Sequence, residues 1–321
     1  MLLVWILISF ALLLSPAAAR AQADPARIGI IGPSEEPRFS ELVGGLKQGL
    51  RDLGYTGQLV ELLEGKLARR DRAGLKSLVE GFIRQRARLL FVVGSEMARQ
   101  TRQVSSQIPI LFITPGDPVA SGLLLSLARP GRNMTAVTFE YPELVGKRLE
   151  LLMEINPRLR RALVVYDPRD ASPRQGVEAA RKAAAQLRMT LIERPSTNPE
   201  EIAQALASLG QVDGLLCVPG GFPSGHYREM IRVANSQRVP TIFHARTQST
   251  MEALASYGAN DAEVAREAAR LVVKILRGAN AGELPVERPT KVELIINLKT
   301  AKALGVKIPA HVLMEADKVI E

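Results

Sequence analysis

The sequence predicts an α/β protein made of two lobes, each with a parallel β-sheet. Short apolar segments alternate with longer segments of helical period from residue 27 to residue 243, which is the pattern of βαβ units. The apolar segments are continuous instead of alternating, as in parallel strands that helices cover on both faces. The strand–helix pattern also occurs twice, with four units on each side of Asn133, and we infer two lobes of similar architecture.

The elements follow in a regular order. The expected strands are 27–31, 58–63, 89–93, 110–113, 134–139, 161–166, 190–194, 214–218, 241–243 and 291–297. The expected helices are 39–53, 70–85, 96–104, 142–155, 172–187, 199–209, 224–237, 261–276 and 298–304. Ser256, Tyr257 and Gly258 are predicted to break the chain, with Asp261 as the N-cap of the next helix.

Residues 110–139 are the most informative stretch. A buried strand is followed by a polar turn at residues 114–118 and a second break at residues 128–133. Proline and glycine at both breaks exclude a continuous helix or strand. Two breaks this close together predict that the chain crosses here from one lobe to the other.

The N-terminus predicts export. Residues 1–23 combine an apolar run with small residues that fit a signal-peptide cleavage site, although the run lacks Lys and Arg at its start. An uncleaved membrane anchor is the alternative, because the run is nearly long enough to span a bilayer. The sole cysteine, Cys217, lies in an apolar strand and not at the cleavage site. We therefore expect a periplasmic protein with a cleaved signal peptide, and not a lipoprotein.

The formal net charge of +9 raises the question of a nucleic-acid partner. The basic residues are spread along the predicted helices, and the local clusters have acidic residues nearby. The sequence contains no helix-turn-helix, zinc-finger or aromatic-interleaved basic motif. We expect a solvated basic surface and no nucleic-acid partner.

Catalytic motifs are absent from the sequence. It has no nucleophile elbow, phosphate-binding loop or dinucleotide fingerprint. The three histidines, His226, His244 and His311, are far apart and lack metal-ligand spacing. We expect no enzyme activity, no metal and no cofactor.

Polar turns follow the predicted strands instead. Because the carboxyl ends of parallel strands share one edge of a sheet, these turns predict a ligand site between the lobes. Its candidate residues are Ser34, Ser95, Thr114, Asp117, Tyr166, Asp167, Pro219, Gly220, Phe222 and Tyr257. Ser95 is also expected to serve as the N-cap of the helix that follows it. His244 and Phe243 follow or end the last strand, and Phe243 is the better candidate for the core.

Longer motifs carry a resemblance to a known family. They include 45–55, 108–110 with 116–119, 121–123, 127–133, 146–152, 256–258 and 289–305. On these segments the chain resembles the substrate-binding proteins of ABC transporters related to the tryptophan and tyrosine binders. The turns at Gly94, Asp167 and Pro219 depart from the family pattern, which leaves the ligand open.

The resemblance implies a type I periplasmic-binding-protein fold, with two Rossmann-like lobes joined by three crossovers. It places 24–138 plus about 258–284 in the first lobe and 139–257 plus about 285–321 in the second. Such a protein is a monomer that closes on a small polar metabolite, with an amino acid as one candidate, and delivers it to a membrane permease. We expect Ser34, Ser95 and Thr114 to hydrogen-bond the ligand.

Several alternatives stay open at this point. Asp117 and Asp167 can meet an amine or hydroxyl of the ligand, but Asp117 can instead brace its own turn. Tyr257 can be a hinge residue or a cleft wall. The same fold can also serve as a ligand sensor that docks on a membrane receptor or kinase. An exported α/β enzyme would need Ser95 or Ser34 within hydrogen-bond reach of His244.

Overall fold

The computed structural model describes residues 24–34, 38–68, 70–139, 142–289 and 291–321. The predicted signal peptide, residues 1–23, lies outside the described residues. No helix within the described ranges is both long and apolar enough to span a membrane.

The first lobe is built on a five-stranded parallel sheet with the order β2-β1-β3-β4-β5. Its strands are β1 (Ala26–Pro33), β2 (Val60–Leu67), β3 (Ala87–Val93), β4 (Ile110–Thr114) and β5 (Met134–Thr138). Its first three helices are α1 (Phe39–Asp52), α2 (Arg72–Arg84) and α3 (Ser95–Val104). Because β3, β4 and β5 are almost wholly buried, the sheet is covered on both faces, as their continuous apolar sequence predicts.

The second lobe is built on a seven-stranded sheet with the order β12-β11-β10-β9-β8-β6-β7. Its strands are β6 (Arg161–Tyr166), β7 (Thr190–Pro195), β8 (Gly214–Cys217), β9 (Thr241–Phe243), β10 (Ala255–Ala259), β11 (Val292–Asn297) and β12 (Lys318–Ile320). The helices around it are α4 (Pro142–Ile155), α5 (Ala171–Gln186), α6 (Pro199–Ala207), α7 (Tyr227–Ser236), α8 (Arg246–Thr250), α10 (Leu298–Leu304) and α11 (Ala310–Glu315). All of its strand pairs are parallel except β10 with β11.

The chain passes between the lobes three times. It crosses between β5 and α4, between β10 and α9 (Asp261–Leu276), and between the short 3-10 turn Ala281–Glu283 and β11. Helix α9 follows a strand of the second sheet but packs on α1 of the first lobe. This architecture of two α/β lobes confirms the predicted fold class.

Two glycines allow α1 and α9 to approach closely. A Cβ atom at Gly45 would collide with the carbonyl oxygen of Ala262, and one at Gly49 would collide with that of Arg266. The neighbouring Gly44 has open space at the same point. The contact therefore depends on small residues on one face of α1.

Three local expectations are wrong. Residues 256–258 do not break the chain but form the middle of β10, where Ser256 is buried. Gly258 lies against the carbonyl of His244, and a side chain there would collide with it. The N-cap of α9 is Asn260, whose side chain accepts from the Glu263 amide, and Asp261 is the first helical residue. Likewise Gly94 is the N-cap of α3, with φ of 98°, and Ser95 is its first residue.

Candidate functional site

Hydroxyl groups from both lobes meet where the strands end. In the first lobe, Ser95 follows β3 and Thr114 ends β4. In the second lobe, Asp170 and Ser172 stand at the start of α5, after β6. The Ser95 Oγ lies 3.1 Å from Asp170 Oδ1 and 3.1 Å from Ser172 Oγ. The polar strand ends of the two sheets therefore face each other across the boundary between the lobes.

Ser172 is the centre of this network. Its hydroxyl donates to the Pro115 carbonyl over 2.6 Å, and its Oγ lies 3.5 Å from Thr114 Oγ1. The Thr114 hydroxyl donates to the same Pro115 carbonyl over 2.8 Å. Ser95, Thr114 and Ser172 are all buried. The lobes are thus in direct contact, in a closed arrangement.

A second pair of hydrogen bonds joins the lobes beside this network. The Asp117 amide donates to Gln175 Oε1 over 2.6 Å, and Gln175 Nε2 donates to the Asp117 carbonyl over 3.2 Å. The Asp117 carboxylate itself accepts from the amides of Val119, at 2.7 Å, and Ala120, at 3.2 Å. In this closed arrangement, the Asp117 side chain braces its own turn while its backbone contacts the other lobe.

A small cavity lies behind the Ser95 hydroxyl. Its volume is about 10 Å³, about the space that one water molecule needs. Its lining comes mostly from the first lobe, with Asp170 and Gly220 from the second: Pro33, Arg38, Leu42, Val93, Gly94, Ser95, Ile113, Pro115, Phe139, Asp170 and Gly220. A metabolite fits here only when the lobes move apart. We call this space the central cavity.

Two larger cavities flank the lobe contact. One, of about 440 Å³, is lined by Arg70 of the first lobe and by Asp167, Arg169 and Phe222 of the second. The other, of about 240 Å³, lies beside the crossovers, between the Asp117 turn and helix α5. The closed contact therefore separates two open spaces along the same boundary.

Arg38 fixes the hinge side of the central cavity. Its guanidinium Nη1 lies 2.9 Å from Asp261 Oδ1, and its carbon Cζ lies 5.2 Å from the centre of the Phe139 ring. All three residues are buried. Because Phe139 precedes the first crossover and Asp261 follows the second, this ion pair holds two crossovers to the loop after β1.

The Asp167 carboxylate is paired with an arginine of its own lobe. Its carboxylate accepts from Arg169 Nε at 2.8 Å, from Arg169 Nη2 at 2.9 Å and from the Phe222 amide at 3.2 Å. Burial alone would raise the pKa of Asp167, but the hydrogen bonds from Arg169 and Phe222 outweigh it and lower the pKa. Arg70 of the other lobe approaches the same carboxylate to 3.9 Å.

His244 is buried, and its surroundings disfavour the charged imidazolium. Only 2 % of it is exposed, its Nδ1 lies 3.5 Å from Cys217 Sγ, and its Nε2 has no hydrogen-bond partner in the described part of the chain. Burial lowers the pKa of His244 well below its usual value, and the positive charges of Arg38 and Arg148 add to the effect. The described residues give neither Ser95 nor Ser34 a hydrogen bond to His244, so the arrangement required for a serine nucleophile is not formed.

The other predicted site residues are placed less uniformly. Pro33 lines the central cavity, whereas Ser34 is exposed and its amide donates to the Leu67 carbonyl. Phe222 lines the 440 Å³ cavity, where its ring centre lies 4.8 Å from that of His226. Gly220 lines the central cavity, and Pro219 beside it is buried.

The two predicted tyrosines contact their own lobe. Tyr166 packs beside Val164, Val177 and Val218, and its hydroxyl donates to Glu193 over 3.5 Å. Tyr257 packs on the core of the second lobe, and its carbonyl accepts from Arg148 Nε over 2.7 Å. These contacts all lie within the second lobe. The roles of the two tyrosines in ligand binding therefore stay predictions.

Sequence reasoning missed Arg38, Asp170, Ser172 and Gln175. Asp170 and Ser172 stand in Asp-x-Ser at a helix start, which reads as ordinary capping chemistry, and Asp170 does accept from the Ser172 amide. Their partners lie in the other lobe, more than 50 residues away along the chain. No local pattern signals such contacts.

Comparison with known proteins identifies the chain. A family described as "ABC transporter substrate binding protein" matches residues 27–320. The chain belongs to this family. This confirms the relationship that the sequence motifs indicate.

Relatives of this substrate-binding protein include a tyrosine-binding protein of Clostridioides difficile (strain R20291). It is 26 % identical over 281 residues, which cover 87 % of this chain and 81 % of the relative. A conserved domain protein from Vibrio cholerae has a crystal structure with a TM-score of 0.85 and 26 % identity, covering 92 % of this chain and all of the other.

Two further structures share the fold of this substrate-binding protein. An ABC domain from Streptococcus pneumoniae in complex with L-Trp has a TM-score of 0.85 and 21 % identity, over 92 % of this chain and 100 % of that one. A ligand-free, open structure of a substrate-binding protein with adhesive properties from Clostridium difficile has a TM-score of 0.68 and 25 % identity. The match covers 92 % of this chain and 99 % of the other. ABC transporter solute-binding proteins from Agrobacterium vitis, with bound allitol, and Mycobacterium smegmatis, with bound glycerol, share the fold at 14 % identity.

Proposed function

We propose that this substrate-binding protein captures a small polar metabolite, of which an amino acid is the first candidate, between its two lobes. The observation that supports it best is the meeting of Ser95, Thr114, Asp170 and Ser172 at the edges of two sheets, around a cavity. Ligands of open α/β sheets bind at this edge. The protein then delivers its solute to a membrane permease without chemistry of its own.

The proposed cycle consists of opening and closing at the crossovers. In the closed arrangement the central cavity holds about 10 Å³, so the solute enters when the lobes part. The hydroxyls that now bond to each other then become available to the solute. The lower TM-score against the open Clostridium difficile structure agrees with lobes that stand further apart there. The proposed hinge joins a first lobe of 24–138 plus about 258–284 to a second of 139–257 plus about 285–321.

The proposed location is the periplasm, after removal of residues 1–23. The family membership and the apolar N-terminal sequence support it. N-terminal sequencing of the protein from a cell fraction checks this directly. A mature chain that begins after Ala21 or Ala23 is expected, whereas an intact Met1 in the membrane fraction would indicate an anchor.

Thermal-shift screening tests the binding function. The mature protein is heated with each proteinogenic L-amino acid and with a set of polyols and small carboxylates. A solute at one hundred times its Kd stabilises the folded state by about 2.7 kcal/mol, which shifts Tm by several degrees. If no solute raises Tm, and small-angle scattering shows no change of shape with any of them, the proposed function is wrong.

A further inference from the structure

Asp170 differs from the other charged residues around the lobe contact. Arg38 is paired with Asp261, and Asp167 with Arg169. Asp170 is buried, with 8 % exposed, and its Oδ1 accepts only neutral donors, the Ser95 hydroxyl and the Ser172 amide. Among the described residues no arginine, lysine or histidine forms an ion pair with it. The carboxylate therefore has no side chain of opposite charge as a partner and receives only the partial positive charge at the N-terminus of α5.

The second carboxylate oxygen faces the central cavity. Asp170 and Gly220 both line that cavity. The Asp170 Oδ2 lies 3.8 Å from the point that a Cβ atom of residue 220 would occupy, and Pro115 of the other lobe lies at 3.7 Å from the same point. Residue 220 is a glycine with φ of 99° and adds no side chain of its own here, although Pro173 Cδ lies 3.3 Å from the same point. Asp170 Oδ2 therefore lies at the boundary between the lobes, beside a proline of each.

The rest of the cavity lining favours a cation over water as the partner of this oxygen. Much of it is apolar, with Pro33, Leu42, Val93, Ile113 and Phe139, and the arginine in this lining, Arg38, is paired with Asp261. A carboxylate in such surroundings is costly unless it is paired and hydrogen-bonded. Closure over a neutral solute would leave Asp170 without a cationic partner, whereas closure over a cationic group would provide one.

We propose that Asp170 is the specificity-determining residue of the cleft and binds a protonated primary amine of the solute. This rests on the proposed solute-binding function and narrows its ligand to cationic amines, among them the α-ammonium group of an amino acid. The Oδ2 atom accepts from the ammonium group, while Oδ1 keeps its bond to the Ser172 amide of its own lobe. Closing of the lobes then couples recognition of the amine to the hydroxyl network.

The test compares amines with analogues that lack only the amine. Calorimetric titrations use the mature wild-type protein with the twenty L-amino acids, putrescine, and the desamino acids 3-(4-hydroxyphenyl)propionate and indole-3-propionate. For any amino acid that binds, its own desamino acid is added. We expect at least one amine to bind, and its desamino analogue to bind at least tenfold more weakly.

Asp170→Asn is the matched variant, because it removes the charge and keeps an oxygen for Ser95 and the Ser172 amide. We expect the affinity for the amine to fall by roughly tenfold to a hundredfold, the range for a hydrogen bond to a charged group. The affinity for the desamino analogue stays the same or rises. Asp71→Asn is the control, since Asp71 is also a helix N-cap but is exposed and outside the cleft. It should bind the amine like the wild type.

The outcomes separate this inference from the function on which it rests. Binding of polyols or carboxylates without any amine, or equal affinity for an amine and its desamino analogue, overturns the role of Asp170 and leaves solute binding intact. Unchanged amine affinity in a folded Asp170→Asn protein does the same. If that variant does not fold, the wild-type comparison of amine with desamino analogue decides alone. Failure of every solute to bind the wild type contradicts both proposals.

Discussion

The Ser172 hydroxyl of the second lobe lies 2.6 Å from the Pro115 carbonyl oxygen of the first. This bond and the contacts of Ser95 with Asp170 and Ser172 join the two lobes directly. Solute binding therefore competes with contacts that the protein already makes to itself. The strength of these contacts sets how much of the free protein is closed.

Loss of the Ser172 hydroxyl should open the free protein. In Ser172→Ala the Pro115 carbonyl keeps the Thr114 hydroxyl but loses that of Ser172, and the closed arrangement weakens by about 0.5–1.5 kcal/mol relative to the open one. Small-angle scattering of the solute-free variant should give a larger radius of gyration than the wild type. Ser236→Ala is the control, since its hydroxyl bonds the Val233 carbonyl on the exposed face of α7. An unchanged radius for Ser172→Ala would show that these bonds do not hold the lobes.

Alanine substitutions at the two adjacent glycines of α1 should change the free energy of unfolding in opposite directions. Gly45→Ala places a methyl group against the Ala262 carbonyl of α9, so we expect a loss of about 1–3 kcal/mol in the free energy of unfolding. Gly44→Ala meets nothing within 4 Å and should gain about 0.5–1 kcal/mol, because alanine favours the helix. Urea denaturation of both variants measures the difference. Two gains of equal size would refute the close contact between α1 and α9.

The buried His244 should make the protein sensitive to mild acid. Its pKa is lowered in the folded state, so below about pH 6.5 the unfolded chain binds a proton that the folded chain does not. The contribution of His244 to the free energy of unfolding is fully present above that pH. Below it, this contribution falls by about 1.4 kcal/mol per pH unit until the folded-state pKa is reached. Unfolding measured at pH 7, 6 and 5 should show this loss in the wild type and a smaller one in His244→Phe.

A variant of the exposed His311 provides the comparison for His244. His311 lies on α11 with its side chain 56 % exposed. His311→Gln should retain the acid sensitivity of the wild type. Parallel pH profiles for the wild type and His244→Phe would mean that His244 does not cause the sensitivity.

Variants of Asp117 distinguish a carboxylate that stabilises its own turn from one that contacts the ligand. Its carboxylate accepts from the amides of Val119 and Ala120, which an asparagine oxygen can also do. Asp117→Asn should therefore bind solute like the wild type, while Asp117→Ala loses about 1 kcal/mol of stability. Calorimetry and urea denaturation measure the two effects. A large loss of affinity in Asp117→Asn with unchanged stability would assign the charge of Asp117 to the ligand.

The sequence was sufficient for most of the strands because their signal is local. Continuous apolar segments such as 110–113 have one solution when helices flank them, and β4 spans Ile110–Thr114. Ser256–Gly258 misled because serine and glycine usually mark turns. In β10 they are needed for another reason, since Gly258 packs against the His244 carbonyl. That demand comes from a distant segment and leaves no local trace.

The site was predictable in position but only partly in residues. Ser95 and Thr114 stand at strand ends, and parallel topology alone brings them to the lobe boundary. Asp170 and Ser172 look like capping residues, and Arg38 like a surface arginine, until the partner lobe is in place. Tyr166 and Tyr257 follow the same strand-end rule as Ser95 or lie near a crossover, yet pack within the second lobe. The rule fixes where a strand ends and not which way its last side chain points.

A reversible lock between the lobes tests the central claim most directly. The Ser95 and Ser172 oxygens lie 3.1 Å apart, so cysteines at both positions are placed to form a disulfide when the lobes are closed. Cys217, which is buried, stays in place. The affinity for a solute that binds the wild type is measured by calorimetry before and after reduction. We predict no binding by the oxidised, solute-free protein and recovery on reduction, and equal binding in both states would contradict a site that opens between the lobes.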